Sequence, residues 1–374
     1  MSGRDNRPPP PTGRAWRVIE VVHDIDRIAG EWDALIDRAG GGPFDRPGWY
    51  MAWWDAFGDD GRMAVIALRS EGRLCAAVPL ARRAGMSSSP TNDHTPRFDL
   101  IADDEDALAE LARIVLRLRQ RRLTISPIAA DGPGLAALRT AMDESGYRAV
   151  ERTVLRSPYL DLAGIEDPGG VLDRKFRKEL RRCRRRLEES GELTLDIVRA
   201  PDAVDAALQE AFALEALQWK GDAGSAIASS SQTGAFYTAV AGWAAERGSL
   251  FLAMLRLDGR AIAFELDILD NGRLYSMKAG FDPEWSRFSP GHLLMLDVLT
   301  EGVAHGMRVY ELLGDAEPYK LRWTETVREL RLLQASPPGA RGTLDHGRTR
   351  YVDRAVRGVR RRLPRRSGGG APGR

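Results

Sequence analysis

The pattern of apolar and polar positions divides the chain into two stretches of similar make-up. Ile28, Trp32, Leu35, Ile36 and Ala39 recur at helical spacing, and Trp49, Tyr50, Trp53, Trp54 and Phe57 crowd a second short helix ahead of Gly58. Aromatics this dense belong to a core. Apolar runs at 63–68 and 74–80 flank Ser70-Glu71-Gly72-Arg73, which predicts a β-hairpin with Gly at the turn. Turn chemistry at 87–96 follows, then a helix over 107–118, a strand over 123–128, a helix over 135–145 and an extended run over 147–162.

The second stretch opens with a helix over 171–189, a strand over 193–198, a helix over 203–219, a Gly- and Ser-rich loop to 231 and a helix over 235–246. Three strands come next, at 250–257, 261–269 and 274–281, joined by Asp258-Gly259-Arg260 and Asp270-Asn271-Gly272 as an antiparallel meander. A helix over 290–305, a strand over 308–313 and a last helix and strand reach 333. Leu68-Arg69-Ser70-Glu71-Gly72-Arg73 echoes Leu255-Arg256-Leu257-Asp258-Gly259-Arg260 at an offset of 187, half the length of the 374-residue chain. The expected architecture is α/β (α+β): two related units, 16–160 and 161–335, each a mixed, mainly antiparallel sheet flanked by helices.

Composition narrows this little. Hydrophobic residues at 43% and charged residues at 29% are those of a globular protein, and no apolar run approaches the ~20 residues of a membrane span. Residues 1–15 lack the apolar stretch of a secretory signal, so a disordered N-terminus and a cytoplasmic location are expected. Cys75 and Cys183 have neither C-x-x-C spacing nor a nearby His, which supports no disulfide framework and no metal. The net charge of +2 is uneven: eleven Arg against Asp345 and Asp353 give 336–374 a charge of +9, leaving −7 on residues 1–335. That tail reads as disordered, and either as solubilising or as drawn to nucleic acid or anionic lipid.

Candidate chemistry gathers between Met277 and Trp323. In Arg287-Phe288-Ser289-Pro290-Gly291-His292, Ser289 is placed to cap a helix, Pro290 suits its first turn and Gly291 admits another group close to the backbone. A helix start of this kind favours an anion, and Arg287 can add a charge-assisted contact; an ordinary capped helix has the same signature. Glu265 and Asp267 share parity and hence one face of their strand. With Asp282 and Asp315 they are the carboxylates that can take a proton from an amine, and spacing does not choose among them.

Leu257-Asp258-Gly259-Arg260-Ala261-Ile262-Ala263-Phe264, Gly280-Phe281-Asp282-Pro283, Ser289-Pro290-Gly291, and Gly314-Asp315 with Tyr319-Lys320 occur in order, preceded by Trp219-Lys220-Gly221. The ordered set resembles the GNAT-fold acyltransferases related to the Fem peptidyltransferases of peptidoglycan synthesis and to acetyltransferases associated with polysaccharide and cellulose synthesis. It covers about 160–335 strongly and 30–160 weakly. The resemblance implies a V-shaped split between the strand ending near Phe281 and the strand ending near Gly314, with a donor thioester, acetyl-CoA by first choice, threaded through it. Backbone groups of Lys278, Ala279, Gly280 and Phe281 would hold the thioester, and Arg287, Ser289, Gly291 and His292 the donor phosphates. It implies a catalytic set of Tyr319, Lys320, Glu265 and Asp282: an acid for the departing thiolate, a cation for developing charge, and carboxylates for the amine proton. The glycine-poor phosphate loop departs from the R/Q-x-x-G-x-G/A pattern of many acetyl-CoA enzymes. A carrier protein or aminoacyl-tRNA donor, or a non-catalytic module in polysaccharide synthesis, is the alternative. The resemblance implies a small molecule or a cell-envelope precursor as acceptor.

The helix over 173–187 places nine cations, from Arg174 to Arg186, around an apolar stripe of Leu172, Phe176, Leu180, Cys183 and Leu187. Docking explains the stripe. The charge reads as a solvated face or as a surface for tRNA or a carrier protein.

Overall fold

The computed structural model describes residues 16–58, 61–118, 120–218 and 230–362. The expected disordered N-terminus, Trp219-Lys220-Gly221 with most of its loop, and 363–374 of the tail lie outside them.

The first half runs β1 (Trp16–Val22), α1 (Ala29–Ala39), α2 (Pro47–Phe57), β2 (Arg62–Ser70), β3 (Arg73–Arg83), β4 (Met86–Ser88), β5 (Ile101–Ala102), α3 (Glu105–Arg117), β6 (Arg122–Ala129), α4 (Pro133–Ser145) and β7 (Arg148–Asp161). The second runs α5 (Arg174–Glu188), β8 (Leu193–Val198), α6 (Val204–Gln218), α7 (Ser231–Glu246), β9 (Leu250–Leu257), β10 (Arg260–Asp270), β11 (Arg273–Phe281), α8 (Pro290–Ala304), β12 (Val309–Glu311), β13 (Val327–Ser336) and α9 (Ala340–Arg362). Local chemistry sets several boundaries. The Asp104 carboxylate caps α3 at Ala107 N–H, and Asp173 caps α5 at Lys175 and Phe176 N–H.

The echoed hairpins have the same turn. Glu71 and Gly72 have φ of 53° and 81°, and Asp258 and Gly259 have 48° and 78°. Two successive left-handed residues make the tight turn whose twist matches flanking strands, which explains Gly at the second position.

The strand order β1-β2-β3-β4-β6-β13-β7-β12-β11-β10-β9-β8 reads alike from both ends, with β5 pairing β3 off this path. A hairpin lies inside each edge strand, and then a parallel pair, β4 with β6 and β11 with β12. The final strands are exchanged. β7 follows the first half, yet its end, Tyr159 to Asp161, pairs with β12; β13 follows the second half and pairs with β6 as well as with β7. β13 therefore sits in the first half's sheet although its sequence belongs to the expected second unit.

One core cluster joins α1–α4 to α6, α7 and one face of β10, through edge-to-face ring pairs Trp49–Phe236 (5.1 Å) and Phe44–Tyr275 (5.2 Å). The other cluster packs α5 and α8 on the opposite face of the second sheet. The Arg46 guanidinium, 2% exposed, bonds Asp33, Asp37 and Asp270, tying α1 and α2 to the β10–β11 turn.

Two expectations change. The last helix before β13 is a single 3-10 turn, Lys320–Arg322, in a stretch too short between Pro318 and Thr324 for more. The tail expected to be disordered forms α9 over its first part, anchored where Asp345 pairs with Arg122 and accepts from Ser336 Oγ. Among the described residues, no helix is long and apolar enough to cross a membrane.

Candidate active site

β11 and β12 run parallel only from Arg273↔Val309 to Tyr275↔Glu311, then diverge. At the divergence β11 carries a bulge: Ser276 lies opposite Asp267 and Lys278 opposite Leu266, so Met277 is an extra residue. From there to Phe281, β11 has a partner only on its β10 side. Alternate N–H groups along this run point into the gap, since strand amides alternate between neighbours. On the far wall Leu313 and Gly314 are both left-handed, with φ of 52° and 60°. Lys320 holds this bend. Its ammonium donates to Leu313 O (2.9 Å) and Asp315 O (3.4 Å) and pairs with Glu317 (3.2 Å). The φ favours glycine at 314, and a Cβ there, 2.9 Å from Lys320 Nζ, would make the ammonium shift.

The split opens into a cleft of about 1160 Å³ that reaches both faces of the sheet. On the α8 face lie Ser289, Gly291, His292, Tyr319 and Lys320. Ser289 occupies the cap position of α8 but is left-handed and makes no side-chain cap; its hydroxyl interacts with the Cys183 thiol of α5 instead. Pro290 has no N–H, and those of His292 and Leu293 both reach Ser289 O, which leaves Gly291, in the cleft wall, with the unused N–H of this turn. His292 is neutral, because burial, with Arg322 nearby, pulls it down to about 4; its Nδ1 accepts from Trp323 Nε1 at 3.0 Å. Tyr319 is 51% exposed in the cleft, and desolvation by the walls together with Glu317 pushes its phenol up. It stays protonated and able to donate.

Glu265 lies at the apex. Its Oε1 accepts from Ser276 Oγ of β11 (2.7 Å) and from the Tyr310 hydroxyl of β12, so three strands meet on one carboxylate where the sheet opens. Burial raises its pKa. Asp267, two residues along the same face, is fully buried and neither oxygen has a hydrogen-bond partner. Burial and then Glu265 push its pKa well above the usual carboxylate range, which favours the protonated form.

Across the sheet Lys278 points away from Glu265 and pairs with Glu215 of α6 at 3.3 Å, its ammonium 5.3 Å from the centre of the Tyr237 ring on α7. The first half closes this side with Ser88, Ser89, Thr91, Asn92 and His94. His94, stacked on Phe57, hydrogen-bonds Tyr237 (3.3 Å); burial and Lys278 lower its pKa.

The cleft thus gathers Glu265, Lys278, Ala279, Gly280, Phe281, Ser289, Gly291, His292, Tyr319 and Lys320. It leaves out two expected residues. Asp282 accepts from Glu284 N–H and pairs with Arg260 (2.5 Å), bracing the turn after β11, and Arg287 is exposed with its guanidinium 4.6 Å from the centre of the Phe288 ring. Asp315 accepts from the Arg156 N–H of β7. Sequence reasoning missed Ser276 and Tyr310, whose partner is distant along the chain, and the wall from Ser88 to His94. The one signal for that wall was the turn chemistry at 87–96. Among the described residues, no group of His, Cys, Asp and Glu is placed to hold a metal ion.

Residues 174–321, from the start of α5 through the bend that Lys320 holds, match the family described as "Acetyltransferase (GNAT) domain". The chain superposes on FemX with a TM-score of 0.61 at 12% identity, over 84% of this chain and 97% of that one. For the C-terminal domain of a protein from Agrobacterium fabrum assigned as a lysylphosphatidylglycerol synthetase, the TM-score is 0.55 at 14% identity, over 86% and 95%. For a conserved protein of unknown function from Bacteroides thetaiotaomicron it is 0.51 at 13%, over 86% and 100%. At such identities the likeness is one of fold. No curated protein matches by sequence. The stretch that holds the split matches the GNAT acetyltransferase domain model, and the fold of the chain is like that of FemX.

Proposed function

We propose that this GNAT-domain chain is an acyltransferase that moves an acyl group, acetyl by first choice, from a thioester of the acyl-CoA type to an amine. The observation that carries the reading is the split between β11 and β12, open to both faces, with the α8 start on one side and a polar wall from the first half on the other. The amine nitrogen attacks the thioester carbonyl carbon, and alternate β11 N–H groups past the bulge stabilise the oxyanion that forms. Glu265, in its ionised form, takes the proton the nitrogen loses, directly or through water. The C–S bond then breaks, the departing thiolate takes the Tyr319 hydroxyl proton, and the proton held by Glu265 returns to Tyr319 through water in the cleft. Amide and free thiol result. Lys320 acts through the Leu313–Gly314 bend, which fixes the width of the split.

Thermal unfolding of the pure chain with acetyl-CoA and longer acyl-CoAs tests donor binding. Thiol release, with a panel of primary amines, then tests transfer. Stabilisation followed by amine-dependent thiol release is expected. A melting temperature unmoved by every acyl-CoA would remove the reading and leave a binding module.

A further inference from the structure

The apolar stripe of α5 is consumed by the core, with Phe176 edge-on to both His292 and Trp323 at 5.3 Å. Among the described residues, the opposite face carries cations of which only Arg184 and Arg185 meet a carboxylate, Asp297 and Glu189. Seven of its nine cations are exposed, and among the described residues no carboxylate pairs with Arg174, Lys178, Arg181, Arg182 or Arg186. With Glu179 and Glu188 the helix carries +7, and residues 1–335, −7 overall, carry −14 without it. Within residues 1–335 the net positive charge is gathered on this one helix; the other basic helix, α9, packs on β7 and β13 of the first sheet.

We propose that the exposed face of α5 docks an acidic carrier protein, which delivers the acyl group as a thioester on its phosphopantetheine arm. The proposal rests on the thioester reading above and names what presents the thioester. Three observations converge on it. First, α5 borders the donor side of the cleft: Cys183 meets Ser289, and Phe176 packs on His292, both at the start of α8. Second, that start offers the single N–H of Gly291, which suits the one phosphodiester of a carrier arm better than a pyrophosphate. Third, the charge that borders the cleft is gathered on the fifteen residues of α5, about 22 Å of helix. A partner that presents one acidic helix matches a strip of that length, and competing RNA and vesicle probes separate it from a longer polyanion. The chemistry is unchanged: the C–S bond of the arm breaks, the acyl carbon passes to the amine, and the arm departs as a free thiol.

The test titrates the full chain calorimetrically with an acyl carrier protein in its apo, holo and acetyl-holo forms, at about 50 and about 200 mM salt. A short RNA duplex and phosphatidylglycerol vesicles serve as competing probes. The holo form should bind in the micromolar range. Raising the salt, or the triple change Arg181→Glu, Arg182→Glu and Arg186→Glu, should weaken binding at least about tenfold. The variant should keep its helical signal and its thermal response to acetyl-CoA. Carrier binding that survives the charge reversal, or tighter binding of RNA or vesicles than of carrier, overturns the proposal. So does the absence of carrier binding while acetyl-CoA still stabilises. Salt-sensitive carrier binding with no amine-dependent thiol release from either acetyl-CoA or the acetyl-holo carrier would uphold the docking face and remove the thioester reading.

Discussion

The side chains at the apex divide the work by environment. Tyr319→Phe removes a hydroxyl the thiolate needs while keeping the ring against the cleft, so turnover should drop about 100-fold with donor binding unchanged. Comparing kcat for thiol release with the acetyl-CoA Kd decides this; equal losses in both would make Tyr319 a packing residue. Asp267 gives a pH signature. Its folded pKa is raised, which favours keeping in the fold a proton that the unfolded chain releases above about pH 4. The stability this confers is complete below that pH and declines as pH rises toward the folded value, by up to about 1.4 kcal/mol per unit. Asp267→Asn should therefore melt progressively higher than wild type from pH 5 upward, as checked by calorimetry across pH. A constant difference would mean that the carboxyl is ionised in the fold.

Sheet elements explain which expectations were legible in sequence. Hairpins, capped helices and the α8 start depend on residues within one turn of each other, so the echo at Glu71-Gly72 and Asp258-Gly259 announced the matching turns. Pairing over long separations leaves no such mark: nothing in Val327 to Ser336 says that these residues lie between β6 and β7. The same limit hid the Tyr310 and Ser276 bonds to Glu265, and it hid Asp282's commitment to Arg260, which made a motif carboxylate look available. The exchanged strand is also where stability is concentrated. Leu333, fully buried on β13, anchors the first half's core, and Leu333→Ala should cost about 3 kcal/mol in urea unfolding. A loss below about 1 kcal/mol would mean that β13 contributes little to the fold.

Taken whole, the molecule unites two similar halves through a common core, an exchanged pair of strands and the buried Arg46 cluster. The cluster spans the join, since Asp270 belongs to the β10–β11 turn and Asp33 and Asp37 to α1. Arg46→Met leaves Asp270 without its main counter-charge and should destabilise the protein by about 3–5 kcal/mol. Unfolding should remain one transition by circular dichroism and tryptophan fluorescence, because neither half keeps a complete sheet without the other. Separate transitions would show that the halves are independent. The placement of β13 also bears on how the protein is made. Leu330 stands beside Ala129 and Leu155, residues synthesised some two hundred positions earlier. On the ribosome, the first half must therefore wait with an open seam between β6 and β7 until Ser336 has left the exit tunnel. A translational pause late in the message, rather than one at the midpoint, is where nascent chains would be most exposed to chaperones and to aggregation.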